Sequence, residues 1–255
     1  MTNKQRTDLI ERHLFEHKYA DLRTLSQRYN ASLSTVRRAL DDLEARGLVR
    51  RHHGGASLIE NDALSQDHDF LSRIQKQADR KAIIARLIAE QVEPGATVIL
   101  DGGTSTYAVA RLLAEKRVRV ITNSLPVASL FGEVGNVETI VTGGSILGRL
   151  GSLVGPQCEA SLEQVHADLA ILGAPGITEA GIWNHNPLVI ATQRKMIAAA
   201  ERTVFAIDST KFGRKALSLI TPFGPTLDVV TDTAPAPAVI AALEAARTRL
   251  MLAER

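Results

Sequence analysis

At 255 residues, with 45% hydrophobic side chains, 23% charged and 4% aromatic, the chain is long enough for a small domain plus a large one, and its Ala-, Leu-, Ile- and Val-rich make-up excludes a disordered or disulfide-stapled protein. No apolar run approaches the ~20 residues that span a bilayer, and the polar opening Met1–Arg6 lacks the hydrophobic stretch of a secretory signal, so a cytoplasmic protein with no membrane partner is expected. The net charge of +2 conceals an asymmetry: residues 1–60 hold 11 Lys and Arg against 8 Asp and Glu, leaving 19 against 20 of the totals of 30 and 28 for the rest, which admits nucleic acid as a partner without requiring it.

Three helical stripes open the chain: Leu9, Ile10 and Leu14; then Leu22, Leu25 and Tyr29; then Val36, Ala39, Leu40 and Leu43. Asn30-Ala31-Ser32 leaves room only for a tight turn, with Ser32 placed to cap the third helix, and two short helices so joined form a helix-turn-helix. Gly47 ends the third helix. Leu48–Arg51 then reads as a strand, His52-His53-Gly54-Gly55 as a tight loop and Ala56–Ile59 as the returning strand, which makes a wing. These features predict a winged helix-turn-helix over 1–59 and a polar linker over 60–72.

From 73 to 255 the pattern alternates between helices and short apolar strands. The predicted strands are Thr97–Leu100, Arg119–Thr122, Glu138–Thr142, Ala167–Leu172, Thr203–Ile207 and Asp228–Thr231, and the Ala-rich stretch Ala238–Ala253 reads as a closing helix. Such alternation predicts an open, mainly parallel α/β sheet.

On the third helix, Ser34, Thr35, Arg37 and Arg38 gather hydroxyls and guanidiniums near the helix start, the end with which a recognition helix meets base edges. Arg pairs bidentately with guanine, and Ser, Thr and Arg hold phosphates. Either Arg37 or Arg38 can be the base reader, and Arg50, Arg51 and His53 on the wing are the further DNA candidates. The competing reading is a helical interaction module whose arginines are only solvated; the order of three helices, turn and wing within 60 residues favours double-stranded DNA.

The run Thr35-Val36-Arg37-Arg38-Ala39-Leu40, with Leu43-Glu44, Gly47-Leu48 and His53-Gly54-Gly55-Ala56, resembles the N-terminal signature of the DeoR family of bacterial sugar-metabolism regulators. The resemblance continues through Asp101-Gly102-Gly103-Thr104-Ser105, Thr122-Asn123-Ser124, Gly143-Gly144, Ser152–Pro156 and Asp208–Gly213. It implies a sensor domain similar in fold to ribose-5-phosphate isomerase and a phosphorylated sugar or sugar-acid effector; paired recognition helices on operator half-sites would further need a homo-oligomer, dimer or tetramer. Two departures stand out. Ala39 replaces the Asp usual in the family's reading helix, and Trp183–Arg194 lacks the acidic residues that members often carry before the Lys segment.

The strand Thr97–Leu100 runs into Asp101-Gly102-Gly103-Thr104-Ser105-Thr106 and a helix from about Tyr107. Glycines allow close backbone approach, the helix start favours an anion, and three hydroxyls complete a phosphate cradle; a tight turn that merely needs glycines explains the loop as well. Thr122, Asn123, Gly143, Gly144 and Lys211 each follow a predicted strand, where open α/β sheets collect ligands. Together with these positions, the resemblance implies an effector pocket of Asp101, Gly102, Gly103, Thr104, Ser105, Thr122, Asn123, Gly143, Gly144 and Lys211. Asn184, His185, Asn186 and Gln193 are possible readers of hydroxyls and Arg194 of an acid group, or simply an exposed loop and helix start.

No cofactor or metal is expected. His13 and His17 share a helix face but lack a third ligand and read as solvated, and the single Cys158 reads as a small buried apolar residue. An isomerase-like enzyme carrying a DNA-binding domain is the alternative; Asp101 with Lys211 is not enough for a positioned general base, so the chain is read as a regulator and not an enzyme.

Overall fold

The computed structural model describes residues 3–17, 19–45, 48–52, 54–58, 70–135 and 137–253, the side chains of 3–5, 15, 16, 50 and 58 excepted. The chain divides into two compact units, Met1–His68 and Asp69–Arg255.

The first unit runs α1 (Asn3–His17), β1 (Tyr19–Asp21), α2 (Leu22–Arg28), α3 (Leu33–Ala45), β2 (Val49–His52) and β3 (Gly55–Leu58). The three stripes converge as read: Ile10, Leu14, Leu25, Val36, Ala39, Leu40 and Leu43 form one core with Val49 and Ala56 of the hairpin. Strand β1 has no counterpart in the sequence reading. It pairs antiparallel with β3, Ala20 opposite Ala56, giving the sheet order β1-β3-β2. Gly55 belongs to β3 and not to the expected loop, because a Cβ there would fall 2.4 Å from the Ala20 carbonyl oxygen. Ala39 is 6% exposed and faces this core, so the departure from the family pattern lies on the packed side of the reading helix.

The second unit begins with α4 (Phe70–Gln75) and α5 (Ala78–Glu90). Two βα units and a third strand follow: β4 (Thr97–Leu100), α6 (Thr104–Leu113), β5 (Arg119–Thr122), α7 (Leu125–Val134) and β6 (Glu138–Val141). A hairpin of β7 (Ser145–Leu147) and β8 (Ser152–Val154) leads to α8 (Pro156–Glu163) and β9 (Ala167–Leu172). Then come β10 (Gly176–Thr178), β11 (Gly181–Asn184), α9 (Pro187–Ala198), β12 (Ala200–Ala206), β13 (Ser218–Thr221), β14 (Leu227–Thr231), α10 (Pro237–Ala245) and β15 (Arg249–Leu252).

Seven of the described strands form one sheet of order β15-β14-β12-β9-β4-β5-β6, with every pairing parallel. Alternate residues of each strand face opposite layers. Val98 and Leu100 pack with Ile84, Val109 and Phe131 of α5–α7, whereas Ile99 packs with Leu162, Ile190 and Leu243 of α8–α10. The chain moves outward from β4 to β6, returns to lay β9 beside β4, and moves outward again the other way. The direction therefore switches between β4 and β9, where doubly wound sheets open a ligand crevice at the carboxyl ends.

Several strand ends shift by one to three residues, the largest change being β12, which starts at Ala200 and not Thr203, and three further boundaries differ from the sequence reading. The helix expected from Tyr107 begins at Thr104, because the Gly103 carbonyl already accepts the Tyr107 N–H at 2.9 Å. The Ala-rich closing helix stops at Ala245, and Arg249–Leu252 instead extends the sheet beside β14, whose open edge outweighs local helix propensity. The expected linker 60–72 lies outside the described residues as far as 69, and its last three residues open α4, where buried Phe70 meets Tyr107 of α6 edge to face at 5.3 Å.

Candidate functional site

The exposed side of α3 presents Ser34, Arg37, Arg38 and Asp41, while Val36, Leu40 and Leu43 hold the helix to its core. The Ser32 hydroxyl accepts the Thr35 N–H at 3.2 Å and lies 2.8 Å from both the Ser34 and Thr35 hydroxyls, so the predicted cap forms inside a cluster of three hydroxyls. Asn30 takes the left-handed conformation (φ 44°), and the Ser26 hydroxyl donates to the Ala31 carbonyl at 2.6 Å, which fixes the turn between α2 and α3. Arg37 and Arg38 make no hydrogen bond or ion pair among the described residues and are exposed. Arg51 differs: its guanidinium pairs with Asp41, and its N–H donates to the Glu44 carboxylate at 2.9 Å, so this wing residue braces β2 against α3. The Arg50 side chain and His53 lie outside the described residues.

In the second unit, the carboxyl ends of β4, β5, β6, β9 and β12 bring Asp101, Asn123, Gly143, Gly173 and Asp208 to one edge of the sheet. Asp101 sits at the switch, 5% exposed, its N–H donating to the Ile171 carbonyl of β9 at 3.1 Å. Its carboxylate accepts the Gly102 N–H at 2.7 Å and the Gln193 amide at 2.7 Å. Burial pushes its pKa up, against the lowering effect of the Gln193 hydrogen bond. The same Gln193 nitrogen donates to the Gly173 carbonyl at 2.8 Å, and the Gln193 oxygen accepts from Asn184 at 3.2 Å. Gln193 is therefore a buried brace for Asp101. Asn184 and Asn186 serve the same corner, Asn186 as the cap of α9, and Arg194 donates to the Ile220 and Leu219 carbonyls instead of pointing to a pocket.

Of the expected cradle, Thr104 and Ser105 occupy the first turn of α6, whose leading N–H groups have no intrahelical partner. The Thr106 hydroxyl is consumed internally: it donates toward the Asp101 and Gly103 carbonyls at 2.6 Å and accepts the Gly103 N–H at 2.9 Å. Thr122 is likewise consumed, its hydroxyl donating to the Leu100 carbonyl at 2.7 Å. Asn123, 1% exposed, donates to the Leu153 carbonyl at 3.0 Å, and its Oδ1 has no partner among the described residues. Gly102 and Gly144 answer to packing: a Cβ at Gly102 would fall 2.0 Å from the Ser152 hydroxyl, and one at Gly144 2.7 Å from the Val154 carbonyl. At these two positions close packing requires glycine; Gly143, with φ 73° and open space beside it, is a conformational glycine.

Lys211 ends a short 3-10 turn (Ser209–Lys211) after β12, capped by buried Asp208. Sequence reasoning missed its surroundings. Lys81 of α5 is buried beside it, held down to about 8 by desolvation first and then by the nearby charges of Arg73, Lys211 and Lys76, with Asp208 opposing. Lys81 shares the buried face of α5 with Ile84, Ala85 and Ile88, and a lysine between Arg80 and Ala82 carries no local sign of burial.

A cavity of about 700 Å³ lies at the opposite, amino ends of the strands, bordered by Glu93, Asp168, Glu201 and Arg202; it includes none of the expected effector residues. His13 is buried, not solvated, and stacks near His17 and Tyr29 (centroids 4.4 and 5.9 Å). No group of three His, Cys, Asp or Glu among the described residues could hold a metal ion, and no described helix is long and apolar enough to cross a membrane. Cys158 is buried in the core, as read.

Residues 6–62 match the DeoR-like helix-turn-helix domain and residues 76–233 the DeoR C terminal sensor domain. Among curated proteins, the chain is 33% identical over 221 residues to a putative aga operon transcriptional repressor of Escherichia coli O157:H7, covering 86% of this chain and 82% of that one. It is 31% identical over 245 residues to the glycerol-3-phosphate regulon repressor of Escherichia coli K12 (95% and 96%), and 27% identical over 220 residues to the L-fucose operon activator of the same strain (86% and 90%). Ribose 5-phosphate isomerase A from Methanocaldococcus jannaschii aligns over 53% of this chain and 55% of that one, at 16% identity and a TM-score of 0.40. With a helix-turn-helix at one end, a switch-point sheet at the other and both domain models matched in that order, the chain belongs to the DeoR family of transcriptional regulators.

Proposed function

We propose that the chain represses a carbohydrate or sugar-acid catabolic operon, in the cytoplasm and as a dimer or tetramer, and leaves its operator when a phosphorylated metabolite occupies the switch-point site. The observation that carries the reading is the conjunction at one sheet edge of a helix start (Thr104, Ser105), a buried acceptor without a partner (Asn123 Oδ1) and a cation (Lys211). A phosphate suits the helix start and the cation, and sugar hydroxyls suit the Asn123 and Asp101 oxygens. Relatives named as repressors of the aga operon and of the glycerol-3-phosphate regulon support it. On the DNA side, Arg37 or Arg38 reads a base and Ser34 and Thr35 hold phosphate, with paired recognition helices on half-sites about one helical turn apart. Relatives named as regulators favour sensing over catalysis at Asp101.

The test is a thermal-shift panel of sugar phosphates, sugar acids and their unphosphorylated parents. A ligand at about 100 times its Kd adds about 2.7 kcal/mol of stability. A phosphorylated compound should raise Tm in the wild type and fail to do so in Thr104→Ala and Lys211→Ala; a response only to unphosphorylated compounds refutes the cradle.

A further inference from the structure

Strand β6 ends the order of the large sheet: β5 lies on one side and, among the described residues, no strand lies on the other. Its register sets Ile140 beside Ile121, on the α8–α10 layer, and therefore Val141 on the α5–α7 layer. Both side chains are 43% exposed and belong to neither core, although a parallel sheet ordinarily has both faces covered. Natural sheet edges are commonly guarded by charges. The opposite edge strand, β15, carries Arg249, whereas no charged residue occurs from Thr139 to Gly148.

The hairpin that follows is open on its outer side too. At the end of β5 the Leu153 N–H of β8 donates to the Asn123 carbonyl at 2.7 Å, and the Leu125 N–H donates to the Gly151 carbonyl at 2.8 Å. Strand β7 pairs with the other side of β8, and its Ile146 is 63% exposed.

A partner that covers such an edge must offer a strand to pair with and a helical layer on each of its faces. The edge itself has this form. Val127 and Phe131 of α7 pack into the layer on one face, and on the other the Ser161 hydroxyl of α8 donates to the Thr142 carbonyl at 2.6 Å. The charges bounding the uncharged run have opposite signs: exposed Glu138 before it, paired with Arg119 at 2.9 Å, and exposed Arg149 after it. An antiparallel copy brings unlike ends together, whereas a parallel copy sets like against like. A closed two-fold contact, in which the same patch serves both subunits, meets this requirement.

We infer that β6 and the outer side of the β7–β8 hairpin form the contact between two copies of this chain. The two β6 strands pair antiparallel across a two-fold axis near Val141, the centre of the uncharged strand stretch Thr139–Gly143, and make the two sheets continuous. The inference rests on the dimer-or-tetramer reading and goes beyond it in naming the surface; it does not depend on the effector. Since Asn123 holds β8, the contact adjoins the proposed effector site.

The experiment follows the association of the full chain by analytical ultracentrifugation over a concentration series, with circular dichroism of each variant to report folding. The wild type should associate. Val141→Lys and Val141→Glu should each raise the dissociation constant about tenfold or more, because the two-fold sets like charges side by side. Mixing the two variants should restore association, and native mass spectrometry should show the mixed pair. Ile146→Lys, at a position where a charge costs the single chain little, should also weaken association and serves should Val141 not tolerate a charge. A monomeric wild type overturns this inference and the oligomer reading together. Association unchanged in folded Val141→Lys and Ile146→Lys, or a loss in folded variants that mixing does not reverse, overturns this surface and leaves the oligomer reading standing.

Discussion

The amide nitrogen of Gln193 reaches across 92 positions of sequence to hold the carboxylate of Asp101 at 2.7 Å, with both groups buried at the point where the sheet changes direction. An amide suits this place because it donates to Asp101 and Gly173 while accepting from Asn184. A carboxylate at 193 would set two buried acids against each other, one of which must keep its proton. Gln193→Glu is therefore expected to cost about 2–4 kcal/mol near neutral pH. The shared proton raises a folded-state pKa above its unfolded value, so the stability it contributes is present at low pH and lost as pH rises through the folded pKa. Chemical denaturation from pH 4 to 8 should show the variant approaching the wild type at the acid end; a constant deficit would mean that repulsion with Asp101 is not the cause.

Lys81 titrates in the opposite sense. A lysine held at about 8 in the fold binds fewer protons there than in the unfolded chain, so folding grows more favourable as pH climbs from about 8 toward its ordinary value of 10.5. The gain is at most about 3 kcal/mol. Urea titrations of the wild type and of Lys81→Met across this range should differ by that slope, and parallel curves would show that Lys81 is not desolvated.

Gly55 and Gly54 are adjacent in the wing yet should respond differently to alanine. The Cβ at 55 would fall 2.4 Å from the Ala20 carbonyl, whereas the one at 54 meets nothing within 4 Å. Gly55→Ala should cost about 1–3 kcal/mol and loosen β1 from β3, while Gly54→Ala should stay within about 0.5 kcal/mol. Separate thermal transitions for the two units, followed by calorimetry, would locate the loss in the first.

For DNA, Arg37→Ala and Arg38→Ala should separate. The base reader should lose about 1–3 kcal/mol and relax preference at one position in selections from a randomised duplex library, whereas a phosphate contact should weaken all sequences alike and lower the salt slope by about 1. Arg51→Ala should act mainly on stability, since its guanidinium already braces Asp41. A sequence-specific loss in Arg51→Ala would show that this pair opens on DNA.

The local pattern of residues carried much of this protein. The α3 stripe of Val36, Ala39, Leu40 and Leu43 recorded which face is buried, and the apolar runs at Thr97, Arg119 and Ala167 recorded strands covered on both sides, because burial within one element leaves a period that neighbouring residues share. Glycine and hydroxyl loops after those strands marked the sheet edge where Asp101 and Asn123 meet.

Tertiary packing decided what each of those residues does. It spent the Thr106 and Thr122 hydroxyls on nearby carbonyls, gave Gly102 to Ser152, turned Gln193 from a candidate ligand reader into a brace, and drew β1 and β15 into sheets that their own residues do not announce. It also laid α4 on α6 and placed Lys81 beside Lys211 across 130 positions of chain. The reason is physical: periodicity reports the environment of a single element, whereas a hydrogen bond or a Coulomb pair between distant elements depends on sheet order and register, which are fixed only when the two faces of the sheet pack together.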